Sequence, residues 1–133
     1  MGDEMSGDLL DTSILIAPDP AVLEEMPASA AISVITLGEL HAGVLLARDA
    51  TTKAARRARL TAVKAAFAPL PVDEPVAESY GAVLAVARSQ RRTAKATDLL
   101  IIATATAHDR TLHTLDESQA GLARASGVRV HAI

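Results

Sequence analysis

Short aliphatic runs alternate along the chain with longer segments of helical spacing, and that alternation predicts βαβ units. Leu9–Ile16 predicts a buried first strand running into a turn that Pro18 and Pro20 end. Ala21–Met26 suits a short helix, and Ala30–Ile35 a second strand. Thr36 is placed to cap a helix reaching about Ala47. Thr52–Phe67 is Ala-rich and basic, with Leu60, Val63 and Phe67 as an apolar stripe, and predicts a further helix. The stretch between Thr36 and Phe67 therefore reads as a helical hairpin. Pro69 and Pro71 bracket a third short strand around Leu70–Val72. Pro75 suits the first turn of a helix with Val76, Tyr80, Val83 and Ala87 on one face. The most apolar helix follows at about Thr97–His108. Strand Thr111–Leu115, a helix from Asp116 and strand Val128–His131 complete the order. The expected fold class is α/β, with a parallel sheet covered on both faces.

Composition narrows this picture. At 133 residues the chain is one domain, read as residues 8–133 behind a loose polar tail of residues 1–7. One Tyr, one Phe and no Trp leave the core to Leu, Ile, Val and Ala. With no cysteine there is no disulfide or thiolate metal site, which fits a reducing cytoplasm. The acidic first residues do not resemble a secretory signal, and no apolar run approaches the roughly 20 residues of a membrane span. Net charge is −3, so a nucleic-acid partner requires a local basic patch.

The chemistry is concentrated in four acids. Asp11 and Asp116 follow predicted strands, while Glu39 and Asp98 lie near the starts of predicted helices. Each has an ordinary explanation as a turn, cap or dipole-favoured residue. Their arrangement points elsewhere. In a parallel sheet all four fall at the carboxyl edge, where α/β proteins place their sites. Crowded carboxylates repel, and a divalent cation relieves that repulsion. Glu39 also has mostly apolar helix neighbours, and Asp98 shares a face with Ile101, Ile102 and Ala105.

The basic residues and histidines are less pointed. Arg91, Arg92 and Lys95 precede Asp98 and suit contact with a phosphate backbone. Lys53, Arg57 and Lys64 share one helix face, with Arg56 and Arg59 adding charge, and read as a solvated surface. His41, His108, His113 and His131 lack the spacing of a zinc motif.

The ordered set Leu10-Asp11-Thr12-Ser13, Ser33–Leu40 around Glu39, Thr97–Ala105 after Asp98, and Leu112–Asp116 resembles the PIN-domain nucleases, in particular the VapC-type toxins of toxin–antitoxin pairs. The resemblance implies a PIN-like three-layer α/β/α fold with a central, mainly parallel sheet. It implies a metal-dependent endoribonuclease in which Asp11, Glu39, Asp98 and Asp116 bind Mg2+ or Mn2+. Thr12, Ser13 and Thr114 would support them through hydroxyl hydrogen bonds, and Arg91, Arg92 or Lys95 would position RNA. It also implies a homodimer and a cognate antitoxin docked on the Thr36–Phe67 region. Two other readings fit the acids: a catalytically silent PIN-like module that binds RNA or protein, and a magnesium-dependent phosphohydrolase with Asp11 as nucleophile. The phosphohydrolases of the haloacid-dehalogenase group carry a second Asp two positions on, where this chain has Ser13.

Overall fold

Leu9 and Leu10 point to opposite sides of one strand, and each is fully buried in a different core. A strand covered on both faces has no solvated side, as in parallel sheets flanked by helices. The computed structural model describes residues 7–132. It contains β1 (Gly7–Leu10), α1 (Thr12–Leu15), α2 (Pro20–Glu24), β2 (Ala31–Ser33), α3 (Val34–Leu45) and α4 (Ala50–Ala66). There follow β3 (Ala68–Leu70), α5 (Glu74–Ser89), α6 (Ala96–Ala107), β4 (Arg110–Thr114), α7 (Glu117–Ala125) and β5 (Val130–Ala132). The strands form one wholly parallel sheet in the order β3-β2-β1-β4-β5. Leu9 registers with Ala31 on one side and Leu112 on the other.

The order turns at β1, where the chain's first crossovers go one way and its last ones the other. Such a switch opens a crevice at the carboxyl ends of the central strands. One face of the sheet packs against α5, α6 and α7 through Leu9, Val83, Leu99, Ile102, Leu112 and Leu122, with the single tyrosine, Tyr80, against the same core. The other packs against α1 to α4 through Leu10, Ile14, Ile32, Leu40, Leu60 and Val63. The three layers and the helical hairpin, now α3 and α4, follow the expected plan.

Several boundaries differ from expectation for identifiable reasons. The first strand stops at Leu10 rather than Ile16, because Asp11 caps a short helix. The second stops at Ser33, whose hydroxyl accepts from the Ile35 N–H and starts α3 three residues before the predicted cap, Thr36. The third strand lies at Ala68–Leu70, ahead of the predicted Leu70–Val72. Pro71 has no N–H to continue the ladder, and Pro69 is tolerated because β3 is an edge strand. The last strand begins at Val130, since Gly127, with φ +85°, and the Val128 N–H to Ala123 bond first close α7. Of the tail read as residues 1–7, Gly7 belongs to β1, and residues 1–6 lie outside the described residues.

Candidate active site

Asp11 follows β1 directly, and its backbone N–H still bonds to the β4 carbonyl of His113 at 2.9 Å. The ladder therefore sets the position of the carboxylate, which is 4 % exposed. Every hydrogen bond to that carboxylate falls on one oxygen. Oδ2 accepts from the Ser13 hydroxyl at 2.6 Å, the Thr114 hydroxyl at 3.0 Å and the Ser13 N–H at 3.3 Å. Oδ1 accepts none among the described residues. Buried carboxylates retain charge only with such donors around them. Ser13 and Thr114 are themselves fixed. The Leu115 N–H donates to Ser13 Oγ at 2.9 Å, and the Asp116 N–H to Thr114 Oγ1 at 3.0 Å. The hydroxyl support expected of Thr12, Ser13 and Thr114 is thus present as hydrogen bonds.

Glu39 lies on α3, six positions after the Ser33 cap, and is half-buried. The Thr12 hydroxyl donates to Glu39 Oε1 at 2.6 Å and stands 3.1 Å from the hydroxyl of Thr36. This joins α1 to α3 across the crevice. Thr36, expected as a cap, is instead a fully buried member of this group.

Asp116 caps α7, with Oδ1 accepting from the N–H groups of Ser118 and Gln119 at 2.9 and 3.1 Å. Its side chain is exposed and its second oxygen is free of hydrogen bonds among the described residues. The capping reading of the sequence is therefore correct, and it leaves one oxygen available.

Asp98 sits in the first turn of α6, where the helix dipole favours a carboxylate. Its pKa is nevertheless raised above the ordinary 3.8. Burial is the largest cause, followed by the charges of Asp11, Glu39 and Asp116, with Lys95 opposing them. The charges of Asp11, Glu39 and Asp116 are thus felt at Asp98. No three Asp, Glu or His side chains among the described residues form a ready-made metal cage. A small hard cation that keeps several waters needs only one or two carboxylates directly. The donor set is all oxygen with no thiolate, which also suits magnesium or manganese.

Two features went unnoticed in the sequence. Gln119, 4 % exposed, has its side-chain amide 3.2 Å from the Thr114 hydroxyl and so backs the Asp11 support. His113, also buried, bonds Asp8 at 2.6 Å through Nε2 and lies 3.2 Å from His131 Nδ1. That chain crosses three strands on the α1–α4 face. Arg92 is engaged with Gln90 at 2.7 Å and lies against Gly121 of α7, while Arg91 takes φ +53° in the turn.

Residues 9–125 match the PIN domain family. The chain belongs to the PIN-domain family. It is 40% identical over 105 residues to Ribonuclease VapC8 of Mycobacterium tuberculosis, covering 77% of this chain and 93% of that protein. A solved VapBC-5 toxin–antitoxin structure from the same organism superposes with a TM-score of 0.84 at 31% identity, over 96% of this chain and 98% of that one. FitAcB from Neisseria gonorrhoeae superposes with a TM-score of 0.76 at 32% identity, over 92% and 95% of the two chains. The VapC-type resemblance read from the four acidic segments therefore holds across nearly the whole PIN domain.

Proposed function

We propose that this PIN-domain protein is a metal-dependent endoribonuclease, the toxin of a toxin–antitoxin pair. The observation that supports the reading is the placement of Asp11, Glu39, Asp98 and Asp116 at strand-to-helix junctions of one parallel sheet, with the Asp98 pKa raised by burial and then by the charges of the other three. A site that repels its own charges is poised for a cation. Ribonuclease VapC8 and the VapBC-5 complex support the activity and the pairing by likeness.

Asp11, Glu39 and Asp98 would hold Mg2+ or Mn2+, with Asp116 at the rim. A bound divalent ion supplies charge stabilisation at a phosphoryl oxygen and acidifies water. The chain's own residues set the geometry. Ser13 and Thr114 occupy Asp11 Oδ2 and leave Oδ1 without a hydrogen bond among the described residues. Thr12 fixes Glu39 by the same device. Arg91, Arg92 and Lys95 would guide the RNA backbone from the loop before α6.

A groove of about 650 Å3 between the α1–α2 segment and α4 is the proposed antitoxin seat. Ile14, Leu15, Leu23, Val63 and Phe67 give it an apolar floor. The groove takes in the second helix of the Thr36–Phe67 hairpin, the region proposed for docking.

The test is cleavage by the purified chain, freed of any partner, of single-stranded and structured RNAs with Mg2+, Mn2+ or EDTA. Cleavage that requires the metal supports the reading. Absence of cleavage across RNAs and metals, by protein shown to be folded, would overturn it in favour of a silent binding module.

A further inference from the structure

We infer that Arg59 holds a backbone phosphate of the RNA beside the acidic centre; this rests on the ribonuclease reading above. The starting point is a charge imbalance. Helix α4 carries Lys53, Arg56, Arg57, Arg59 and Lys64 and not one acid, in a chain whose net charge is −3. Helices that display basic residues to solvent commonly balance them with acids one turn away. This one does not, and it supplies the local basic patch that an acidic protein needs to bind nucleic acid.

The five basic residues are not equivalent. Arg56 and Arg59 line a cavity of about 430 Å3 that Thr12 and Glu39 also line. Lys53, Arg57 and Lys64 do not line it. Arg56 is anchored, its Nη1 donating to the Gly43 carbonyl on α3 at 2.7 Å. Arg59 makes no ion pair or hydrogen bond among the described residues. Arg59 and Glu39 thus line one cavity with no ion pair between them among the described residues, Glu39 being held by Thr12. The cavity carries both a carboxylate and a guanidinium. A phosphodiester completes it, meeting the acids through a cation and Arg59 directly. A planar guanidinium matches phosphate oxygens with two parallel N–H groups, and a lysine does not.

Arg59 also borders the apolar groove proposed for the antitoxin. RNA is the favoured occupant of its guanidinium because Arg59 also lines the cavity that holds Glu39 and Thr12, where a polyanion needs offsetting positive charge.

The experiment pairs RNA binding with cleavage. Fluorescence anisotropy of a labelled single-stranded RNA is measured over a salt series for the wild-type chain, Arg59→Ala, Arg59→Lys and Arg57→Ala. Cleavage with Mg2+ is followed on the same proteins, and antitoxin binding is measured alongside. For Arg59→Ala, affinity should fall on the order of tenfold, the loss of one charge-assisted contact. The slope of log affinity against log salt should shrink by about 0.7, one single-strand phosphate. KM should rise with the affinity loss while the Mg2+ requirement stays put, since a merely structural defect would not alter the salt slope. Arg59→Lys should recover the slope but not the full affinity, and Arg57→Ala should match wild type. If the wild-type chain cleaves RNA and Arg59→Ala binds with unchanged slope, the inference is wrong while the ribonuclease reading stands. If Arg59→Ala loses antitoxin affinity alone, the residue belongs to the protein partner and the inference is equally wrong. If the wild type neither binds nor cleaves RNA, the ribonuclease reading fails and this assignment fails with it.

Discussion

Asp98 has a favourable helix dipole, but burial first and three like charges second outweigh it and raise its pKa. Replacing it with Asn keeps its shape and removes the conflict. Asp98→Asn should fold normally and lose cleavage by roughly a hundredfold or more, as a cation worth several kcal/mol to the transition state is no longer held. In EDTA at neutral pH the same variant should melt slightly higher than wild type. Solvent screening keeps that gain below about 1 kcal/mol, a Tm rise of at most about 5 °C. The sign with pH follows from the raised pKa. The folded state binds the proton more tightly than the unfolded state, so this group favours folding fully below pH 3.8 and loses that effect as pH rises through its folded pKa. Thermal melts in EDTA across that acidic window should show the stability difference between variant and wild type shrinking as pH falls. A second residue-scale outcome concerns Thr114, which is fully buried and touches Asp11, Asp116 and Gln119. Thr114→Val strips the donor from Asp11 and the acceptor from the Asp116 N–H. It should cost about 1–3 kcal/mol in urea unfolding and shift the Mg2+ dependence of cleavage upward.

The helical hairpin of α3 and α4 is held by an aliphatic seam in which Leu40, Val44, Leu60 and Val63 are buried. Leu60→Ala should destabilise the fold by about 2–5 kcal/mol, read as a lower urea midpoint. Leu45, 72% exposed at the end of α3, is the contrasting case. Leu45→Ser should change stability by no more than about 0.5 kcal/mol. Helical and strand periodicities made these elements legible in the sequence, because an aliphatic stripe leaves few ways to be buried. Element ends were less legible. Ser33 and Asp11 each resemble a strand residue until their side chains turn back on the next N–H. The acids were readable because strand-to-helix junctions in a parallel sheet share one edge. Gln119 and Thr36 were not, since their roles depend on distant hydroxyls that only the folded chain brings near. Arg59 had no signature either. Its helix is basic throughout, and only the packing of α4 on α3 divides residues facing the cavity from residues facing water.

At the scale of the molecule, the sheet divides two aliphatic cores and gathers negative charge at one edge, with the α4 basic residues beside it. Binding of a cation at that edge should stabilise the whole fold, because the unfolded chain has no comparable site. At a hundred times its Kd, magnesium should add about 2.7 kcal/mol, a Tm rise on the order of 5–10 °C that EDTA reverses and Asp98→Asn lacks. The exposed Leu45 and Leu46, at 72% and 75%, form an unpartnered apolar pair at the end of α3. Sedimentation of the pure chain at micromolar concentration should show a dimer, and Leu45→Ser should weaken it.

The aromatic poverty of the core has a spectroscopic consequence. Tyr80 is the one tyrosine, it packs against the α5–α7 core, and there is no tryptophan to mask it. Its emission is therefore a single-site reporter of that half of the fold, and its loss of packing marks global unfolding without mixing of signals. Excitation selective for tryptophan should leave the pure chain dark. Any such light from a purified preparation comes from another protein, so a tryptophan placed in the antitoxin would make formation and release of the complex visible with no label on the toxin.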